Sequence, residues 1–307
     1  MNKIKLRRRI IRSLTKQGFR FHDGQLLPPK RLNKRRLRRL HVPAVQHQID
    51  RVEPSRARKE DHLLERIARG SEVVPEHLRP RLIRVLPDSE DELLFRYARL
   101  HWSIPVSAGY GRRLRFLVID EHNAKLIGIL GLADPVFGLG ARDEWIGWNS
   151  EQRCQRLVHV MDTFVLGTVP PYSSLLCGKL VAMLAASNEV RRAFGYKYRS
   201  DDSLIGGRAF DGRLAMITTT SALGRSSIYN RVTFDQRVLY QRVGFTQGSG
   251  DFHLSDGLYG DISDYTRRYC DPTAKRPEWG TGFRNRREVI RKCLVKLGIS
   301  TKGLFQK

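Results

Sequence analysis

The sequence predicts an α/β (α+β) fold, in which a mixed sheet carries helices on its faces and is flanked by basic segments. From residue 112 onward, apolar strand-like runs and amphipathic segments alternate in the order β-β-α-β-α-β-α-β, which is typical of such a sheet. The 307 residues carry a net charge of +25, and residues 1–60 alone hold 19 Lys and Arg against four acids. This charge favours a polyanionic partner, nucleic acid first, with an acidic membrane surface or an acidic protein as alternatives.

The N-terminal segment is predicted to be a basic helical arm. The clusters KIKLRRRIIR and KRLNKRRLRRLH indicate two short helices joined by a turn at DGQLLPP. Such an arm is either a solvated charged segment or a nucleic-acid-binding segment that orders on phosphates. The residues expected to bind phosphates are Arg7, Arg8, Arg9, Lys34, Arg35, Arg36, Arg38 and Arg39. The predicted segments are the arm (1–59), a helical lead-in (60–110), an α/β core (111–270) and a basic C-terminal extension (271–307).

The lead-in and the core contain recognisable helix and strand signals. DSEDELLFRYARLHW begins with a capping pattern and acids in its first turn, which predicts a helix. Residues 114–120 and 125–132 predict a hairpin around the turn EHNA. The later predictions are a polar turn and then a helix in ARDEWIGWNSEQRCQRLVHVMD, a strand in TFVLGTVPP, a helix in SLLCGKLVAMLAASNEVRRAFGY, a strand in RLAMITTTSA, a short helix in DQRVLYQRVGF, a strand in TQGSGDFHLS and a helix near the C-terminus.

The stretch TVPPYSSLLCGKLVAML follows a strand and opens a helix, a place where free N–H groups suit an anion. Together with LYQRVGF, it resembles the core of GNAT-type acetyltransferases, so that a GNAT-like core is expected for residues 111–270. The resemblance implies a coenzyme A-dependent acyltransferase. The glycine loop of that family is replaced here by Leu176 and Gly178, and Pro170 and Pro171 remove N–H donors from the loop.

Three carboxylates and two hydroxyls are candidates for catalysis. Asp143 and Glu144 in ARDEWIGW, together with Asp162, could hold Mg²⁺ in a metal-dependent nuclease. Alternatively, the hydroxyl of Ser226 or Tyr229 could act as the nucleophile of a strand transferase. Without a nuclease activity, we expect no cofactor and no metal.

Two polar loops are candidates for contact with phosphates. GRSSIYNR supplies arginines, hydroxyls and an amide that can bind phosphates or a base edge, and GFTQGSG can bring backbone N–H groups close to an anion. The candidate binding residues of the two loops are Arg225, Ser226, Ser227, Asn230, Arg231, Thr246, Gly248 and Gly250.

Several classes of protein are not indicated by the sequence. It has neither the P-loop of an ATPase nor the GxSxG elbow of a serine hydrolase. The four cysteines form no C-x-x-C pair and predict reduced thiols. No signal peptide and no apolar run of membrane-spanning length is found, so we expect a cytoplasmic protein.

Several stretches together resemble one family, the DruA-type proteins of the Druantia anti-phage defence system. They include LIGILGLADPVFGLGARDEWIGW, MITTTSALGRSSIYNR and GFTQGSGDFHLSDGLYGDI, and the resemblance covers about residues 60–300. It implies a role in phage defence, a helicase-like partner and kinship with mobile-element proteins, but no set of catalytic residues. It adds Arg142 and Trp148 to the candidate functional positions.

Four functions follow from these patterns. The first is a nucleic-acid-binding component of a defence system, and the second is a metal- or hydroxyl-dependent nuclease or strand transferase. The third is an acyltransferase, and the fourth is an adaptor whose charge serves an acidic protein partner. The basic N-terminal segment and the GRSSIYNR loop favour the first.

Overall fold

The computed structural model describes residues 2–27, 33–56, 60–107, 109–199, 210–226, 228–245, 254, 256–273, 279 and 283–300. The chain divides into two compact units. Unit 1 comprises residues 1–50 and 247–307, and unit 2 comprises residues 51–246. The N-terminal and C-terminal parts of the chain therefore belong to the same unit.

Unit 1 is built from helices and one small hairpin. Asn2 caps the first helix by accepting a hydrogen bond from the Lys5 N–H at 2.9 Å. The hairpin turns at Asp23 and Gly24, which both have positive φ angles of 47° and 75°, as a tight two-residue turn requires. The elements are α1 (Lys3–Lys16), β1 (Arg20–His22), β2 (Gln25–Leu27), α2 (Lys34–Arg56, of which residues 34–50 belong to this unit), α9 (Asp256–Tyr269) and α10 (Phe283–Lys296).

The core of unit 1 joins α1 to the two C-terminal helices. Leu6, Ile10 and Leu14 recur every four residues, form one stripe on α1 and are fully buried. The residues packed in the same core include Leu258, Ile262 and Tyr265 of α9 and Val289, Ile290, Cys293 and Leu294 of α10. A detached basic arm is therefore not confirmed, because its first helix is part of a folded core. The division of the chain into the segments 1–59, 60–110, 111–270 and 271–307 remains a prediction.

Unit 2 contains a five-stranded sheet in the order β3-β4-β5-β6-β7. Neighbouring strands are antiparallel except for β6 and β7, which are parallel and are connected by a helical crossover. The strands are β3 (Pro80–Arg84), β4 (Arg113–Asp120), β5 (Lys125–Ala133), β6 (Val160–Thr168) and β7 (Met216–Thr219), followed by a separate hairpin of β8 (Thr233–Phe234) and β9 (Arg237–Val238). The helices are α3 (Glu60–Glu65), α4 (Glu90–Arg99), α5 (Gly140–Ile146), α6 (Ser150–Arg156), α7 (Cys177–Ala185) and α8 (Asn188–Tyr198).

Both faces of the sheet are covered. Successive residues of β4 point to opposite faces, so Leu117 packs with α4 residues such as Phe95, whereas Phe116 packs with Phe194 of α8. Val118 lies in a further cluster with Val181 of α7. Burial on both faces explains the continuous apolar runs at residues 116–119 of β4 and 126–133 of β5. The mixed α/β class and the β4–β5 hairpin are confirmed.

Several predicted elements differ from the structure, and others were missed. The helix predicted in DQRVLYQRVGF is not formed: residues 235–238 belong to the β8–β9 hairpin, and residues 239–245 have no regular structure. The turn residues Asp235 and Gln236 have φ angles of 48° and 59°, which no right-handed helix allows. The helix predicted from residue 174 onward begins only at Cys177 and breaks before α8. Strand β3 and helix α9 were not predicted; β3 starts with Pro80 at the sheet edge, where the missing N–H is tolerated. Most residues of the last predicted strand, TQGSGDFHLS, lie outside the described part of the chain.

The core position of α1 leads to a prediction about stability. Replacing the fully buried Ile10 (Ile10→Ala) should lower the free energy of unfolding by about 2–4 kcal/mol, because it leaves a cavity between α1 and the C-terminal helices. Replacing Ile4, which is 69% exposed on the same helix (Ile4→Ala), should change it by less than about 0.5 kcal/mol. Urea denaturation of the full chain, followed by circular dichroism, measures both. If Ile10→Ala and Ile4→Ala lower the free energy of unfolding by the same small amount, the packing of α1 is contradicted.

Candidate nucleic-acid interface

The loop of residues 224–231 rests on α7 and on the end of β7. Ile228 lies against Gly178, where an added Cβ would come within 3.3 Å of the Ile228 side chain. The Tyr229 side chain lies beside Thr219 of β7, and its ring stacks on Tyr240 with centroids 5.3 Å apart. The loop is therefore held by one aliphatic and one aromatic anchor.

The two hydroxyl candidates of this loop serve its conformation. Ser226 Oγ accepts hydrogen bonds from the backbone N–H groups of Ile228 and Tyr229, both at 3.2 Å, and so closes a local turn. Burial raises the pKa of Tyr229, although the Thr219 side chain beside it lowers it in part, so the phenol stays protonated at neutral pH. Neither hydroxyl is prepared to act as a nucleophile.

The charged side chains of the loop face solvent. Arg225, Asn230 and Arg231 are exposed, and no described residue forms an ion pair or a side-chain hydrogen bond with them. Their donors are available to an external anion. Ser227, Thr246, Gly248 and Gly250, which were predicted to bind in the same region, lie outside the described residues.

Asp143 belongs to a closed ionic cluster. Oδ1 of Asp143 accepts hydrogen bonds from the Arg142 guanidinium at 2.7 and 2.8 Å, and Oδ2 accepts from Arg153 at 3.1 Å and from the Leu139 N–H at 3.1 Å. Burial alone would raise the pKa of Asp143, but the hydrogen bonds from Arg142, Leu139 and Arg153 outweigh it and hold that pKa below its usual range. Arg142, which is 1% exposed, also donates to the Val136 carbonyl at 2.9 Å.

This cluster fixes the start of α5 and does not present open metal ligands. Both oxygens of Asp143 are engaged by cations, while Glu144 beside it is exposed to solvent. Trp148, a further candidate position, is half-buried. Among the described residues, no group of three His, Cys, Asp or Glu side chains converges on a position for a metal ion. Nothing in the described geometry therefore favours Mg²⁺ at Asp143 and Glu144.

Asp162 and Tyr229 lie on opposite sides of strand β7. The Asp162 carboxylate accepts a hydrogen bond from the Thr218 hydroxyl at 2.6 Å, whereas Tyr229 lies beside Thr219, the next residue along the strand. Successive residues of a strand point to opposite faces of a sheet. Burial raises the pKa of Asp162, and the Thr218 hydrogen bond and the charge of Arg142 lower it only in part. Asp162 and Tyr229, which were candidates under two alternative mechanisms, therefore lie apart.

The turn before α7 is filled by the chain's own side chains. The Tyr172 hydroxyl, fully buried, donates to Asp120 Oδ2 at 2.9 Å and lies 2.9 Å from the Asn123 amide nitrogen, which donates to it. Burial raises the pKa of Tyr172 to about 12, so this hydroxyl remains a donor. Leu176, where a glycine would suit a phosphate-binding loop, adopts a φ of 60° and is 73% exposed. The predicted anion site at this helix start stays a prediction.

Unit 1 carries most of the positive charge. Residues 1–50 hold 15 Lys and Arg against two acids, and residues 247–307 hold 12 against seven, which leaves +18 in unit 1 out of +25 for the chain. On α1, Arg8, Arg12 and Lys16 are exposed, and no described residue pairs with their side chains. The five cations predicted to bind at the start of α2 are all exposed as well: Lys34, Arg35, Arg36, Arg38 and Arg39.

Two of the arginines predicted to bind phosphates have partners within unit 1. The Arg7 Nε donates to the Leu297 carbonyl at 3.1 Å, and the Arg7 guanidinium lies 5.1 Å from the centre of the Phe21 ring. Arg9 forms an ion pair with Asp261 of α9. These contacts hold α1 on its unit. Sequence reasoning did not single out Arg12 and Lys16, although they follow Arg8 at intervals of four residues, which could have indicated them.

Comparison with known proteins identifies the family. Residues 31–307 match the family described as "Druantia protein DruA". The chain is also 38% identical over 298 residues to a Druantia protein DruA of Escherichia coli (strain UMEA 4076-1), covering 97% of this chain and 74% of that protein. The protein belongs to the DruA family, and the resemblance predicted from its motifs is confirmed. No solved structure matches the chain. None of the described helices is long and apolar enough to cross a membrane.

The Asp143 cluster leads to a prediction about pH. At pH 7, Asp143→Asn should lower the free energy of unfolding by about 3 kcal/mol, because Arg142 stays buried without its counter-charge. A carboxyl whose pKa is lower in the folded state stabilises the protein above its unfolded pKa of about 3.9 and loses that effect as the pH falls through the folded value. The difference between wild type and Asp143→Asn should therefore shrink as the pH falls below about 4.

Chemical denaturation at pH 7 and below pH 4 measures this difference. The matched control is Glu144→Gln, which neutralises the exposed neighbouring carboxylate and should change stability by less than about 0.5 kcal/mol. A difference between wild type and Asp143→Asn that is the same at both pH values would contradict the ionic role of Asp143.

Proposed function

We propose that this DruA-family protein is a nucleic-acid-binding component of the Druantia anti-phage defence system, with unit 1 contributing most of the affinity. The observation that carries the proposal is the row of cations on α1, which is exposed, lacks described partners and stands on a folded helix. Family membership supports the place in the defence system. A helicase-like partner, as the resemblance implies, is part of the proposal.

The spacing of the α1 cations suits a regular polyanion. Arg8, Arg12 and Lys16 follow one another at four-residue intervals, so they lie about one helical turn, or 5.4–6 Å, apart along one side of the helix. Helix α1 contains no acid that could neutralise this row. Each phosphate neutralised by such a cation releases condensed counterions, and this release drives binding to nucleic acid of any sequence.

The rigidity of α1 increases the effect of these charges. A disordered arm would lose conformational entropy when it orders on phosphates. Because Leu6, Ile10 and Leu14 already hold α1 in the core of unit 1, its cations need only side-chain ordering on binding. The same cations then give more affinity than they would on a flexible segment.

In unit 2, the loop of residues 224–231 provides a second, smaller basic surface. Arg225 and Arg231 have guanidinium groups that can bind phosphates in a bidentate way, and Asn230 can contact a base edge. The anchored position of the loop on α7 and β7 keeps these groups in a fixed arrangement. No feature of the described residues gives comparable support to a nuclease, an acyltransferase or an adaptor.

The proposal predicts a steep dependence of binding on salt. The triple variant Arg8→Ala/Arg12→Ala/Lys16→Ala should bind duplex DNA more weakly, and the slope of log K against log salt concentration should become shallower by about 2.7, or about 0.9 for each phosphate that is no longer neutralised. Fluorescence anisotropy with labelled duplexes of two unrelated sequences, from about 50 to 200 mM salt, measures the slope. The loss of affinity should be the same for both sequences.

A matched control removes the same charge elsewhere. Arg81, Arg96 and Arg213 of unit 2 are exposed but are already paired with Glu121, Glu92 and Asp211. Changing all three to Ala should alter the salt slope by less than about 0.9, the effect of a single phosphate. If the two triple variants have the same salt slope, binding depends on net charge alone, and the proposed role of α1 is wrong. Binding that hardly changes with salt would contradict the proposed function itself.

A further inference from the structure

The β8–β9 hairpin has an unusual combination of exposed groups. Phe234 and Arg237 are directly opposite each other across the two strands, so both side chains lie on the same face of the hairpin. Phe234 is 62% exposed, and Arg237 is exposed and has no described partner. Thr233 and Val238 form the other pair and occupy the opposite face.

The hairpin is firmly attached at its base. Val232, which precedes it, is 1% exposed, and its carbonyl accepts a hydrogen bond from the Leu239 N–H at 3.0 Å. The next residue, Tyr240, stacks on Tyr229 and donates its hydroxyl hydrogen to the Ala182 carbonyl at 2.8 Å. The exposed face therefore stands on anchored residues, which limits the entropy lost when it binds a partner.

The charges around the hairpin select an anionic partner. Residues 224–245 contain four arginines and one acid, Asp235, and all five are exposed. A second exposed aromatic residue of this segment, Phe245, carries the Arg242 guanidinium 4.4 Å from the centre of its ring. Alternation of arginines with exposed aromatic rings is the chemistry that binds single strands, because the arginines contact phosphates and the rings stack on bases.

We propose that the β8–β9 hairpin binds single-stranded nucleic acid, with Phe234 stacking on an unpaired base and Arg237 contacting an adjacent phosphate. This inference rests on the proposed function and goes further by naming the form of nucleic acid that unit 2 recognises. Paired bases in a duplex offer no free ring face to Phe234, whereas each base of a single strand does. The arginines Arg225 and Arg231 continue the basic surface on the chain before the hairpin.

The test compares two oligonucleotides that differ only in their bases. The full-length protein is titrated with an oligothymidylate of about 20 nucleotides, long enough for more than one binding site, and with an abasic oligonucleotide of the same length, which has the same phosphates. Phe234→Ala should weaken binding to the oligothymidylate about tenfold, as expected for the loss of one stacked base, and should leave binding to the abasic strand unchanged. Arg237→Ala should weaken binding to both strands and reduce the salt slope by about 0.7.

Further variants separate stacking from burial of apolar area. Phe234→Leu keeps an apolar side chain without a ring face and should lose nearly as much affinity for the oligothymidylate as Phe234→Ala, whereas Phe234→Trp should retain it. Val238→Ala, on the opposite face of the hairpin, is the matched control and should bind like the wild type. Because Phe234 is mostly exposed, we expect the thermal unfolding of each variant to be unchanged. This measurement checks that the fold is intact.

Two results would overturn the inference. If Phe234→Ala binds the oligothymidylate as tightly as the wild type, or weakens both strands equally, Phe234 does not stack on a base. In that case we expect the hairpin face that carries Phe234 to bind a protein partner. Duplex binding by the α1 cations would still support the proposed function. If the wild type binds neither strand nor duplex at any salt concentration, both the inference and the proposed function fail.

Discussion

The burial of one apolar stripe on α1 determines how the basic surface of unit 1 is arranged. Leu6, Ile10 and Leu14 pack against α9 and α10, because the transfer of apolar side chains from water into a core is favourable. Charged side chains cannot follow them without partners. The stripe therefore turns Arg8 and Arg12 to the solvent. The most charged sequence in the chain becomes a folded helix with its cations in fixed positions.

In unit 2, the alternation of side chains along strand β7 places two neighbouring threonines, Thr218 and Thr219, against different partners. Thr218 donates a hydrogen bond to Asp162 on one face of the sheet, and Thr219 lies beside Tyr229 on the other. Tyr229 thereby becomes an anchor for the loop and, through Tyr240, for the hairpin that follows. These contacts hold the loop of residues 224–231 and the β8–β9 hairpin in place on unit 2, as the proposed binding role requires.

The sequence predicted the elements whose signals are local. The hairpin of β4 and β5 follows from two apolar runs around a polar turn, and α4 follows from the cap at Ser89 and the acids after it. The β8–β9 hairpin was missed because its turn, Asp235–Gln236, lacks the glycine that usually marks such a turn. Periodicity showed that α1 has an apolar stripe but not what covers it, since its partners in α9 and α10 are about 250 residues away in the sequence. The burial of Arg142 and Asp143 was equally invisible, because adjacent charges on a helix are usually solvated.

Hydrogen exchange of the α1 amides in the full-length protein, without nucleic acid, tests the central claim most directly. If α1 is part of a folded core, the amides of residues 7–14 should exchange as slowly as those in the middle of α10, and added oligonucleotide should change them little. If α1 is an arm that orders only on phosphates, these amides should exchange at nearly the unfolded rate and become protected when nucleic acid is added. That second result would contradict the packing of α1 into the core of unit 1.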